Sequence, residues 1–276
     1  MKLSDGVNRS LFLTFLSFNV LILYSQDQTI SSGYIPHVGQ AGKDVIWVPT
    51  PNELVNKMLD IAGVTEKDYV VDLGSGDGRT VVAAAKLGAR ALGIEYNPDM
   101  VEISRKKAEE AGVSERTEFI QADLFTCDLS KATVITMFLL PEINLKLRPR
   151  LLDLSPGTRI VSNTFTMGDW EPDYEVTTEE NMNSWCTALM WIIPAKVDGK
   201  WNLGNGELTI KQEFQMIYGS LKTDNNTSLI TEGRLTGDEI TFNVNGSKYT
   251  GRVTSKTTMS GKSTSGSGEK DWIASR

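Results

Sequence analysis

The segment Val70-Val71-Asp72-Leu73-Gly74-Ser75-Gly76-Asp77-Gly78-Arg79 limits what this chain can fold into more than any other stretch. A short apolar run enters a turn with glycine at alternate positions, and a helical pattern opens directly after it. Such glycines permit positive φ and close approach of the backbone to a ligand. A strand feeding a helix through this kind of turn belongs at the carboxyl edge of an open α/β sheet, where such sheets bind ligands. The flanking pattern agrees. Strands are predicted over 69–73, 91–95, 117–121, 133–138 and 159–165, with helices over 79–87, 98–111 and 143–152 between them. A further helix is predicted to begin at Pro51, with Thr50 as its cap and Leu54, Val55, Met58 and Leu59 on its apolar face.

Near-continuous apolar strands alternating with helices predict a Rossmann-like α/β domain over 49–194, a mostly parallel sheet with helices on both faces. An antiparallel pair over 173–178 and 186–194 closes it. After Pro194 the helical period disappears, and short β-rich runs are separated by turn dipeptides such as Asp198-Gly199, Asn205-Gly206 and Asn245-Gly246. Strands are predicted over 207–214, 229–235, 239–244, 249–253 and 271–275, and the Gly/Ser/Thr/Lys-rich stretch 260–269 reads as a mobile loop. Residues 195–276 are thus a C-terminal antiparallel β extension: a meander packed as a plain sheet beside the first domain, or a half-barrel, with a loose resemblance to small lipocalin-like barrels as the further alternative.

At the other end, Lys2 and Arg9 precede an uncharged run over 11–25, short for a membrane span and the right length for the apolar part of a signal peptide. Residues 1–26 read as a signal peptide or an uncleaved membrane anchor, with an ordinary buried helix as the third reading, and 27–48 as a polar arm. The corresponding location is exported, periplasmic or membrane-anchored.

The formal charge is −7, and residues 1–194 carry −9 of it against +2 for 195–276. An α/β half this acidic repels a phosphate backbone, so a nucleic-acid partner is not expected. Two cysteines and one histidine leave no disulfide framework and no metal site.

The ligand follows from the turn and its neighbours. Glu95 ends the second strand, 23 residues after Asp72, where a carboxylate accepts from both hydroxyls of a ribose. A dinucleotide fingerprint would place its third glycine at Arg79, and that glycine is missing. Asp72 and Asp77 put carboxylates beside the turn, unfavourable next to a pyrophosphate and favourable beside the ammonium and sulfonium of S-adenosylmethionine (SAM). SAM is therefore the expected cofactor, held by Asp72, Gly74, Ser75, Gly76, Glu95, Asp123 and Leu124. Asp123 is placed to accept from the adenine amine or else to cap the turn after the third strand. Asn97 either joins the cofactor site or starts the next helix.

Past the fourth strand, Phe138-Leu139-Leu140-Pro141-Glu142 stands where methyltransferases of planar amines carry an Asp/Asn-Pro-Pro-aromatic motif, and Cys127 has no neighbouring proline. The blocks Tyr34-Ile35-Pro36, Val48-Pro49-Thr50-Pro51, Asp72 to Arg79, Gly93-Ile94-Glu95-Tyr96-Asn97-Pro98, Asp123-Leu124 and Leu139-Leu140-Pro141-Glu142 lie within the stretch from Tyr34 to about Trp170, about half the chain. In them the chain resembles the protein-lysine methyltransferases of mitochondrial inner-membrane proteins (the ATP synthase c-subunit and the adenine nucleotide translocase) and their bacterial relatives. The resemblance implies N-methylation of a protein lysine, a membrane protein as partner, and association with a membrane. The extension after Pro194 departs from those lysine enzymes. On this reading Tyr34 and Thr50 close over the cofactor, Phe138 lies toward the acceptor, and Glu142 holds the incoming ammonium or passes its proton to water. Glu142 as a plain helix N-terminal residue stands equally. Trp47, Trp170 and Trp185 are acceptor-channel or core residues, and His37 is a loop residue. Two other functions remain open: a small-molecule methyltransferase, and a non-catalytic SAM-binding protein whose β extension binds a partner. Replacing Asp72 or Glu95 with alanine is expected to abolish SAM binding in calorimetry while leaving a cooperative melt; wild-type affinity in either variant would move the pocket elsewhere.

Overall fold

Successive residues of a strand point to opposite faces of its sheet, and strand β1 (Tyr69–Leu73) is covered on both. Val70 packs in a cluster with Leu54 and Met58 of α1 (Asn52–Ile61), Val81 of α2 (Arg79–Lys86) and Val101 of α3 (Pro98–Glu110). Val71 and Leu73 pack in a second cluster, with Leu147 and Leu151 of α4 (Pro141–Leu151) and with Trp170 and Trp191. These features come from a computed structural model that describes residues 34–42, 46–178, 185–204 and 206–276. Met1–Ile35 form one unit and Pro36–Arg276 another. The first contributes Tyr34 and Ile35 to the described residues, so the predicted signal or anchor segment lies outside them. Among the described residues no helix is long and apolar enough to cross a membrane.

The first sheet adds β2 (Arg90–Glu95), β3 (Thr117–Gln121), β4 (Val134–Met137), β5 (Arg159–Asn163), β6 (Tyr174–Thr177) and β7 (Thr187–Ile192), in the order β3-β2-β1-β4-β5-β7-β6. Strands β1 to β5 run parallel, and β7 is antiparallel to β5 and β6. This is the expected α/β domain. Strand order reverses between β1 and β4, which opens a crevice at their carboxyl ends. Register there sets Asp72 opposite Gly93 of β2 and Thr136 of β4.

Two helix starts differ from expectation. Pro51, not Thr50, occupies the cap position of α1, and no side chain caps it. Thr50 is turned away from the helix: its hydroxyl accepts from Asn163 Nδ2 at 3.3 Å and its carbonyl from Arg79 Nη1 at 2.9 Å. Helix α4 begins at Pro141, two residues ahead of the predicted 143, because proline suits a first turn whose N–H has no partner anyway.

The extension holds β8 (Gly199–Leu203), β9 (Gly206–Glu213), β10 (Met216–Thr223), β11 (Thr227–Leu229), β12 (Thr231–Thr236), β13 (Glu239–Val244), β14 (Ser247–Ser255), β15 (Thr258–Ser265) and β16 (Gly268–Ser275). Each of these strands pairs antiparallel with its neighbours, and the additional pairing of β9 with β10 joins the sheet into a ring. The ring has eight strands, with β11 hanging on β10. The extension is therefore a closed barrel, the alternative that rested on a loose resemblance, and not the plain sheet or half-barrel expected first. Stretch 260–269, expected as a loop, is the β15–β16 hairpin, registered from Thr258 opposite Ser275 to Ser265 opposite Gly268. Only alternate residues of a barrel strand face inward, so a strand whose inward residues are Met259, Gly261 and Ser263 reads as low-complexity sequence. Trp201, Ile210, Phe242, Met259 and Trp272 fill the interior as a packed core.

The barrel also covers the α4 face of the sheet. Phe214, in the β9–β10 turn, stacks on Trp170 with ring centroids 5.6 Å apart. Gln215 Oε1 accepts from Trp170 Nε1 at 2.8 Å, and its Nε2 donates to the Glu171 carbonyl at 2.8 Å. Arg234 pairs with Asp173, whose other oxygen accepts the Ile192 N–H. Phe214→Ala leaves a void against Trp170 and is expected to cost about 2–3 kcal/mol, read as a shift in the denaturant midpoint. An unchanged midpoint would mean that the barrel does not support the sheet.

Candidate active site

The carboxyl ends of β1, β2 and β4, with the turns after β3 and β5, surround one cavity of about 240 Å³. Its floor is the glycine turn. Gly74 and Ser75 donate their N–H groups to the Ile94 carbonyl at 2.9 and 3.0 Å, and Gly76 donates to Glu95 Oε2 at 2.9 Å. The other Glu95 oxygen accepts from the N–H groups of Tyr96 and Asn97, each at 2.9 Å. Gly76 has φ +53°, and a Cβ there would stand 2.5 Å from the indole nitrogen of Trp47, so only glycine fits beneath that ring. Trp47 reaches it on a short loop in which the Gly39 N–H bonds to the Trp47 carbonyl and the Trp47 N–H to the Gln40 carbonyl. Val48, Pro49 and Thr50 continue the wall.

The acidic groups fall into distinct situations. Asp77 binds Arg79 through both oxygens, at 2.9 and 2.8 Å, and also pairs with Lys107. Burial tends to raise its carboxyl, but these cations hold it below the usual range. Its charge is therefore already paired, and the attraction for a cationic ligand expected of both aspartates falls mainly to Asp72. Asp72 is buried and accepts from Thr136 Oγ1 at 2.6 Å. Burial pushes its carboxyl up to about 7; the Thr136 hydroxyl opposes this, and the negative charges of Glu95 and Asp77 add to it. Next to it, Ser75 Oγ is buried with no hydrogen-bond partner among the described residues. A buried carboxylate short of positive charge on the cavity fits a cationic ligand such as SAM and opposes a pyrophosphate.

Of the other expected residues, Asp123, Leu124 and Phe138 line the cavity. Asp123 also caps its turn, accepting the Phe125 N–H at 2.9 Å, so both roles foreseen for it are compatible. Asn97 does not line the cavity: it caps α3 by accepting the Asp99 N–H and supports the site only through its own N–H to Glu95. Glu142 is exposed on the first turn of α4, outside the lining. Tyr34 belongs to the Met1–Ile35 unit and not to the unit that holds the cavity. Trp47 and Trp185 line the cavity, Trp170 is core, and His37 is an exposed loop residue. Sequence reading missed Leu139 and Phe165. The signal for Phe165 was an aromatic at the carboxyl end of a strand adjoining the site.

The model of the ANTKMT methyltransferase domain matches residues 72–174. A protein-lysine N-methyltransferase of Saccharolobus islandicus is 40% identical over 164 residues, which span 58% of this chain and 96% of that protein. This chain belongs to that methyltransferase family. It spans 57% of another relative, the lysine N-methyltransferase of the ATP synthase c-subunit from Xenopus laevis, which is 35% identical over 129 residues and matches 46% of this chain. Among solved structures, a Salinibacter ruber RNA methyltransferase in complex with S-adenosyl-L-homocysteine is 51% identical. That match has a TM-score of 0.51 and covers 54% of this chain and 96% of that one. SAM is the cofactor, as the turn chemistry predicts.

In a SAM-dependent methyltransferase the state of Asp72 becomes measurable. A cation binds the ionised carboxylate, so below pH 7 SAM affinity is expected to fall, approaching tenfold per pH unit, and near pH 7 binding should release protons that appear as buffer-dependent heat in calorimetry. The folded-state value lies above the ordinary 3.8. Asp72 therefore favours the folded empty enzyme at low pH and loses that contribution as pH rises through 7. Asp72→Asn should melt close to wild type at pH 4 and above it at pH 8, by up to about 4 kcal/mol. A pH-independent SAM affinity would remove Asp72 from the charged end of the cofactor.

Proposed function

We propose that this methyltransferase N-methylates a lysine side chain of a protein with an apolar surface around that lysine. The observation that carries the reading is the polarity gradient along the cavity. One end holds Asp72, Glu95 and Asp123; the other is walled by Phe138, Leu140, Ile143, Phe165 and Trp185. Ile46, Leu140 and Trp185 stand exposed at its mouth. On this reading Asp72 takes the charged end of the cofactor, the Gly74–Gly76 backbone and Ser75 flank it, Glu95 takes the ribose, and Asp123 with Leu124 takes the adenine. When bound, SAM supplies a methyl on a sulfonium, which passes to the amine lone pair while the sulfur keeps the C–S bonding electrons.

The chain's own part is positioning and desolvation. The apolar walls pack the four-carbon lysine stem. Removing the ammonium from water lowers its pKa, so its proton leaves to solvent before transfer. Holding the neutral amine in line then supplies most of the catalysis. Glu142, exposed and outside the cavity, takes no part in the transfer.

The name of the Salinibacter ruber relative points to a second acceptor, RNA. Among the described residues Arg79 is the one cationic side chain lining the cavity, and Asp77 and the Thr50 carbonyl occupy it. A phosphate backbone would meet no available positive charge there, which favours the protein. Incubating the enzyme with methyl-tritiated SAM and with membrane-protein and RNA fractions separates the readings. Label should sit on a discrete band, survive ribonuclease and vanish with protease. The reverse pattern overturns the proposal for RNA, and label confined to low molecular weight overturns it for a small molecule. We also propose that the apolar run over 11–25 brings the enzyme to a membrane or across it, which N-terminal sequencing of the mature chain from fractionated cells would test.

A further inference from the structure

Backbone strain in the α/β half is concentrated at one place. Among the described residues of 36–194, the non-glycine residues with positive φ are Thr164, at +59°, and Trp185, at +83°. A β-branched residue in that region is an outlier, and such strain persists only where the surroundings impose it, commonly at functional sites. Both residues flank the acceptor end of the cavity. The turn at Thr164 is closed by the Phe165 N–H donating to the Asn163 carbonyl at 2.7 Å, and this delivers the Phe165 ring to the cavity wall. Three further bonds hold the turn. The Thr164 N–H donates to the Thr187 carbonyl at 2.7 Å, and the Phe165 carbonyl accepts from Ser162 Oγ at 2.8 Å and from Asn144 Nδ2 at 3.2 Å.

The rings gathered there are mutually arranged. Phe138 and Phe165 lie nearly parallel, 19° apart with centroids separated by 5.8 Å. Trp185 stands edge-on to Phe138, at 62° and 5.9 Å. All three line the cavity that also holds Asp72 and Glu95, while its described carboxylates, Asp72, Asp77, Glu95 and Asp123, belong to the cofactor side. Among the described residues, an amine entering the acceptor end therefore meets aromatic rings and no acid.

We propose that Phe138, Phe165 and Trp185 form an aromatic chamber that holds the methylated ammonium produced by each transfer through cation–π attraction, and holds it more strongly the more methyl groups it carries. Each methyl replaces an N–H that water would otherwise solvate, so a methylated ammonium sheds its hydration at lower cost while keeping its charge. A chamber of this kind retains the product of one transfer for the next. The strained turn at Thr164 is the means by which the chain sets the Phe165 ring in place. The proposal rests on the lysine reading for the identity of the acceptor and on ring geometry for the mode of binding.

The test uses the full-length protein saturated with S-adenosyl-L-homocysteine and probes that cannot be methylated further. Nα-acetyl-Nε-trimethyllysine methylamide is compared by calorimetry with its neutral isostere, in which carbon replaces the ammonium nitrogen. The cation should bind about 3- to 30-fold more tightly. The unmethylated and dimethylated lysine amides should fall below the trimethylated one in that order. Trp185→Leu and Phe165→Leu keep an apolar wall but remove a π face. Both should bring the ratio of cation to isostere close to one while S-adenosyl-L-homocysteine affinity and the cooperative melt stay as in wild type. Equal binding of the two probes by the wild type, or a ratio that survives both substitutions, overturns the chamber. A ratio that holds while no protein acceptor is labelled supports the chamber and overturns only the assignment to lysine.

Discussion

Three backbone N–H groups converge on the Glu95 carboxylate, and the whole binding face depends on them. One comes from the turn after β1 and two from the turn after β2. Two loops that leave different strands are thereby locked at a fixed separation, and the floor beneath Trp47 keeps its shape. Charge-assisted bonds of this kind are stronger than neutral ones, which lets a carboxylate serve as scaffold and still carry acceptor sites. Asp72 is in the opposite condition. A threonine hydroxyl supports it, no cation accompanies it among the described residues, and burial disfavours its charge. Two acids on neighbouring strands thus do different work because their surroundings differ.

The parts of the molecule that were legible in the sequence are those where local chemistry decides the outcome. The glycine turn, the parallel strands and most acidic residues of the cavity follow from residue type and spacing, and each appears where that spacing puts it. What was not legible depends on tertiary placement. Asp77 reads as a free charge until α3 brings Lys107 against it and Arg79 folds back. Thr50 has the side chain of a helix cap, but Arg79 and Asn163 claim its carbonyl and hydroxyl first. Hairpin β15–β16 was hidden because a barrel wall needs apolar residues on one side only, and here that side is partly glycine and serine. Closure itself could not be read, since the pairing of β9 with β10 and of β16 with β8 is a property of the ring and of no single strand.

The aromatic end of the cavity illustrates the same division. Trp47 and Trp185 were visible as candidates, but nothing in the sequence separated them from Trp170, which has become a core residue held by Gln215. Phe165 gains its position from a backbone conformation that its own residue type does not announce. The acidic end of the cavity was written in residue identity; the aromatic end is made by how strands terminate.

The ring order of the barrel has a consequence for how the chain is made. Its first strand, β8, closes against its last, β16, at a seam with one registered pair, Ser275 opposite Asn202, where Arg276 also lies 4.3 Å from the Trp201 ring centroid. A chain emerging from the ribosome cannot form that seam until its final strand is out, and contacts so distant in sequence form late. The turn carrying Phe214 belongs to the same ring, so a nascent sheet waits with the Trp170 side of its core uncovered.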